Sequence, residues 1–139
     1  MQQKGVGQGR FFRRDEVERE TINGYQLGWH SRPAATGARH LVVIEVDLRP
    51  DTGHDFHRHP RQEEVILVTS GEIIQWVATE RRSLQAGESA YIPAGVVHAS
   101  FNVSAELAKV VAILGPSIGP EGYELEEMHE RAPWSDLQR

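Results

Sequence analysis

Four residues stand out by type and spacing: His57 and His59, then Glu64, and further along His98. In an extended strand successive side chains point to opposite faces, so positions two apart, such as His57 and His59, aim at one point. The turn Pro60-Arg61-Gln62-Glu63 lets the chain reverse, and Val65-Ile66-Leu67-Val68 reads as a buried strand opened by Glu64. From there the Glu64 carboxylate can swing back toward the two imidazoles. Glu63 is its competitor, because a one-residue slip flips a side chain to the other face; lying in the turn, Glu63 is expected to face solvent. His98 follows the turn Pro93-Ala94-Gly95, at the mouth of another strand. Three neutral imidazoles and a carboxylate suit Fe, Mn, Ni, Cu or Zn. The spacing therefore predicts one divalent transition metal per chain as cofactor (Fe, Mn, Ni or Zn), held by His57, His59, Glu64 and His98.

Positioning these groups falls to a series of short strands. Candidates are 24–30, 41–48, 56–59, 64–69, 73–79, 89–92, 98–103 and 107–114, and in the second of these Val42, Ile44, Val46 and Leu48 share a face. Short strands at this spacing, punctuated by Gly and Pro, argue for a sandwich or barrel. Residues 1–9 read as disordered within a partly flexible segment 1–23, followed by a barrel at 24–115 and a C-terminal tail at 116–139. The tail carries Tyr123, Leu125, Met128 and Trp134, residues that suit anchoring it to the barrel.

These residues resemble the two motifs of the cupin superfamily. The second motif, G-x5-P-x-G-x2-H-x3-N, is matched by Gly87, Pro93, Gly95, His98 and Asn102. The first, G-x5-H-x-H-x3,4-E-x6-G, is matched from His57 onward by His59, Glu64 and Gly71, but its opening glycine position holds Asp51, with Gly53 two residues later. The short connection between Gly71 and Gly87 is similar to that of small microbial single-domain cupins.

The resemblance implies an all-β double-stranded β-helix, or jelly-roll barrel, in a single domain. It implies a metal with open coordination positions, hence a metal-dependent enzyme acting on a small-molecule substrate. Dioxygenase-like cleavage of a catechol-like or diketone-like compound chelated at the metal is the typical case, with Glu64 leaving the metal to act as catalytic base. The alternatives are a non-catalytic module that binds or senses a sugar or organic acid, and a metal-dependent isomerase. Gln75, Ser100 and Asn102 are candidate acceptors for the second ring nitrogen of the histidines, Asn102 being equally suited to capping a turn. Tyr91, Gln75, His54 and Trp76 are candidates for the site wall. His30, His40, His54 and His129 belong to no spaced constellation and read as ordinary surface or core histidines. Val65, Leu67, Ile74 and Trp76 fall on faces that need a cover beyond the core. A homodimer, with the 24–30 strand near the contact, would provide it.

With 139 residues the chain is long enough for one domain. Fifteen basic against twenty acidic residues leave a net charge of −5, so nucleic-acid binding has no electrostatic support. The Arg10, Arg13 and Arg14 cluster reads as a solvated tail, and Arg58 and Arg61 as part of a turn near the site. The longest apolar runs, 41–44 and 110–114, are strand-sized, which argues against a membrane span. No cysteine is present, so disulfides and thiolate chemistry are excluded. Together with a polar N-terminus lacking an apolar leader core, this points to a cytoplasmic protein.

Overall fold

A computed structural model describes residues 9–137; the expected disorder of residues 1–9 falls almost wholly outside that range. Two antiparallel sheets face each other, as expected of a jelly-roll barrel. One sheet contains β1 (Glu18–Ile22), β2 (Tyr25–Ser31), β3 (Val42–Leu48), β5 (Glu63–Ser70), β8 (Ser89–Ile92) and β10 (Ala108–Gly115), in the order β1-β2-β3-β10-β5-β8. The other contains β4 (Thr52–Arg58), β6 (Glu72–Val77), β7 (Glu80–Gln85), β9 (His98–Asn102) and the short β11 (Glu126–Glu127), in the order β11-β4-β9-β6-β7. One turn of helix, α1 (Pro33–Thr36), separates β2 from β3. Among the described residues no helix is long and apolar enough to cross a membrane.

Alternation builds the core. In β10 the residues Ala108, Val110, Ala112 and Leu114 are buried while their neighbours are only partly so. They meet Tyr25, Leu27, Trp29, Val42, Ile44, Ile66 and Val68 from the same sheet and Ile73 from the facing one. β1 and β7 were not anticipated: Glu-Arg-Glu-Thr-Ile and Glu-Arg-Arg-Ser-Leu-Gln carry no alternating apolar pattern, and both strands lie at sheet edges, where nearly every side chain is exposed.

The first motif's departure has a simple geometry. Asp51 stands where the motif has glycine and adopts a left-handed backbone, φ 62°, a conformation Asp tolerates better than most residues. Gly53 answers a different need. A Cβ there would come within 2.5 Å of both the Ser100 carbonyl and the Phe101 ring, so only glycine lets β4 lie this close to β9.

A second cluster covers the outer face of the five-stranded sheet. Phe56, Ile74, Trp76, Val97, Ala99 and Phe101 pack with Met128, and Trp134 and Leu137 close over them. The Met128 amide donates to the Phe56 carbonyl (2.9 Å) and the Trp134 indole to the Ala78 carbonyl (3.2 Å). Ile74 and Trp76 are therefore covered by the chain's own C-terminal segment, which corrects the expectation that they needed another chain. Trp76 also points away from the site it was a candidate to line.

Candidate metal centre

Register places the first two imidazoles. β4 and β9 pair with His57 directly opposite His98, both pointing between the sheets. His59 lies one residue past the end of β4, and Glu64 is the second residue of β5 on the facing sheet. All four are buried, with His98 1% and Glu64 5% exposed. One ring nitrogen from each of His57, His59 and His98 lies within 4.8 Å of the others. The Glu64 Oε1 atom is 2.9 Å from His98 Nε2 and 3.3 Å from His59 Nε2. Glu63 instead faces outward and accepts a hydrogen bond from the Tyr91 hydroxyl at 2.7 Å.

The other ring nitrogens are all engaged, and always by backbone. Nδ1 of His57 bonds the Asp55 carbonyl (2.6 Å), that of His98 the Val96 carbonyl (3.0 Å), and that of His59 the Glu124 carbonyl (2.8 Å). A carbonyl only accepts, so each Nδ1 donates, and in the neutral imidazole the lone pair is then left on Nε2. The side chains expected in this role serve elsewhere. Ser100 donates to Gln75 Oε1 (2.6 Å). Asn102 clamps a turn, donating to the Leu48 and Glu106 carbonyls and accepting from Ser104. Capping was the right alternative for Asn102.

The donor set fits a divalent cation. His98 Nε2 and Glu64 Oε1 are fully buried without a hydrogen-bond partner although they lie 2.9 Å apart. Two buried polar atoms turned toward one point without bonding each other are what a shared ligand would satisfy. Burial pushes the Glu64 carboxyl up, but the adjacent His59 and His98 imidazoles outweigh it and hold it at about 2. Burial, then the neighbouring imidazoles, holds His57 well below its ordinary value, so it stays neutral. For His59 burial pulls downward, and Glu64 and the Glu124 carbonyl more than reverse it.

His54 is the residue that spacing missed. Its ring stacks on His57 with centroids 3.6 Å apart, and on its other neighbour, Tyr25, at 5.6 Å. Residues three apart should point to opposite faces of a strand. A bulge changes that here: His54 pairs with Ser100 and His57 with His98, so β4 spends three residues where β9 spends two. The extra residue turns Phe56 outward and returns His57 to the face of His54. His54 thus lies in the cavity wall, where it was one of the candidates, and is not the ordinary histidine that its lack of spacing suggested. Of the others, His30 bonds Glu45 (2.7 Å), His40 lies on the outside of the barrel, and His129 lies near Glu127 (3.8 Å) at the rim.

The four ligand candidates open onto a cavity of about 700 Å³ between the sheets, walled by Tyr25, Leu27, Trp29, Ile44 and Tyr123 among others. Tyr123 stacks on Trp29 (5.7 Å) and lies 6.0 Å from the His59 ring.

A model of the cupin domain matches residues 44–114, just over half of the chain, and spans both histidine motifs. The chain belongs to the cupin family. Among relatives of this cupin is germin-like protein 3-8 of Oryza sativa subsp. japonica, 34% identical over 76 residues, which make up 51% of this chain and 34% of that protein. The match thus spans about a third of the relative. Among solved structures, the oxalate decarboxylase of Lactobacillus farciminis in complex with formate superposes with a TM-score of 0.71 at 16% identity, covering 86% of this chain and 36% of the other. A cupin-superfamily sugar phosphate isomerase from Silicibacter pomeroyi superposes with a TM-score of 0.70 at 18% identity, covering 86% and 93%. At these identities the likeness is one of fold.

Proposed function

We propose that this cupin is a metal-dependent enzyme with dioxygenase-like chemistry on a small oxygenated molecule, using dioxygen as co-substrate. The observation that supports it is the clustering of three buried imidazoles, one ring nitrogen of each within 4.8 Å of the others, with the Glu64 carboxylate beside two of them, on a cavity between the sheets. A divalent ion there would supply Lewis acidity and a template for two substrate oxygens. His57, His59 and His98 hold it, each fixed in its tautomer by a backbone carbonyl. Glu64 completes the set. Held at about 2 beside His59 and His98 it is a weak base, so proton abstraction by Glu64 requires it to turn away from both. His54 and Tyr25 form the adjoining wall, and the Glu124 segment closes over His59. Anaerobic reconstitution with Fe(II), Mn(II), Ni(II) or Zn(II), then oxygen-uptake screening against phenols, diketones and keto acids, tests the reading. Substrate-dependent uptake by one metal form is the expected result. Metal and ligand binding without turnover under every condition would leave a binding module in its place.

The working unit is a homodimer. On the outer face of the six-stranded sheet, Val65 lies beside Ile113 and Ile113 beside Val43, with Leu67 beside Val111. Leu41 and Tyr91, 59% and 57% exposed, extend this apolar face, and β2 lies two strands from β10 at its margin. A second copy laid sheet to sheet would cover it. Light scattering at micromolar concentration should give twice the chain mass; a monomer would refute the assembly.

A further inference from the structure

We infer that the cavity selects an uncharged or singly deprotonated chelator with a planar or branched carbon body, and rejects small dianions and phosphate esters. This rests on the metal reading above and names its substrate class. Charge balance carries the argument. A divalent ion offset by the Glu64 carboxylate leaves a single positive charge, enough for one deprotonated oxygen donor. A second negative charge needs another cation, and among the described residues lining the cavity neither lysine nor arginine occurs. Asp55 and Glu127 lie there instead, and the one described basic side chain at the cavity beyond the candidate ligands and His54, His129, lies 3.8 Å from the Glu127 carboxylate. The arginines around the barrel are committed elsewhere: Arg32 to Glu18 and Glu121 while lying 4.0 Å over the Trp29 ring, Arg58 to Glu126, and Arg49 to the Gly24 carbonyl. The wall resists negative charge as well. Burial first, then Tyr123, Glu127 and Glu20, push the Tyr25 hydroxyl up to about 12, so an anionic substrate group there would meet the same opposition. What the wall offers is flat and apolar surface: the Tyr25–His54 and Trp29–Tyr123 stacks, both built on the inward face of β2.

The full chain loaded with Co(II) provides the test, its visible spectrum reporting the metal and calorimetry the probe. Four probes are titrated at fixed ionic strength: 4-nitrocatechol, acetylacetone, oxalate and glucose 6-phosphate. Each affinity is expressed relative to that probe's affinity for Co(II) in water, with metal content checked afterwards. Nitrocatechol and acetylacetone should gain at least tenfold over oxalate and the phosphate ester. Tyr123→Ala should weaken nitrocatechol about tenfold while Tyr123→Phe does not. Equal or better relative binding of oxalate or glucose 6-phosphate overturns the inference and leaves the metal reading standing, as does failure of all four probes to bind a loaded protein. Failure of Co(II) to bind at all removes both.

Discussion

The Nδ1 atom of His59 lies 2.8 Å from the carbonyl oxygen of Glu124, sixty-five residues further along the chain. The other two histidines take their carbonyl from two residues away, on their own segment. One corner of the site therefore depends on the C-terminal segment, and Gln62 ties that segment down. Gln62 is 1% exposed, donates to the Pro116 and Gly122 carbonyls (2.7 and 2.9 Å), and accepts from the Glu124 amide (3.1 Å).

Replacing Gln62 should accordingly loosen a metal ligand it never touches. Gln62→Ala is expected to lower metal affinity about tenfold or more and to cost about 1–3 kcal/mol through the buried groups left unpaired. Competition against a chromophoric chelator and chemical unfolding of the metal-free protein measure the two effects separately. Undiminished affinity would mean that His59 does not need the Glu124 carbonyl.

His59→Ala and His98→Ala should each abolish stoichiometric metal while retaining the β-sheet spectrum, because the core clusters contain neither residue. Elemental analysis after dialysis against a trace-metal buffer is the measurement. A full equivalent of metal in either variant would sink the four-ligand assignment.

Acid should destabilise the metal-free protein in a window set by His54 and His57. Burial, then His98 and His59, hold His54 near 4 against an ordinary 6.5, only partly offset by Glu64. Above pH 6.5 neither the folded nor the unfolded chain protonates it and its contribution is intact. Between about 6.5 and 4 the unfolded chain binds the extra proton, so stability falls as pH falls. His57 has the same sign. His59 is raised and has the opposite one, its contribution fading as pH rises. Glu64, lowered to about 2, adds a further loss only below its ordinary 4.5. Urea midpoints should therefore drop from pH 7 to 4.5, and His54→Leu should flatten the slope; an unchanged slope would contradict the buried, neutral state of His54. Metal release should begin below about pH 6 and take up more than one proton per ion.

Gly53→Ala should destabilise the fold by about 1–3 kcal/mol, the usual cost of forcing an atom into a packed contact. The added methyl meets the Ser100 carbonyl and the Phe101 ring at 2.5 Å. Since β4 and β9 carry His57 and His98, metal affinity should fall with stability. Thermal unfolding with and without metal measures both; a neutral substitution would show that the strands can separate at no cost.

Much of this was legible because strand periodicity is local. Val42 to Leu48 and Ala108 to Leu114 alternate, and the structure places strands there. The spacing of His57, His59, Glu64 and His98 carried the family and the candidate site for the same reason, since two residues along a strand is one face. β1 and β7 stayed hidden because edge strands bury too little to need an apolar pattern. Tertiary structure decided the rest. Whether Ile74 and Trp76 were free surface depended on where Met128 and Trp134 pack. His54 entered the site through a bulge, which shifts the strand's phase and has no residue-type signature of its own. The acceptors that orient the three imidazoles are backbone carbonyls, and every residue has one. Which carbonyl meets which ring is set by how the chain returns on itself, most of all for Glu124 and His59.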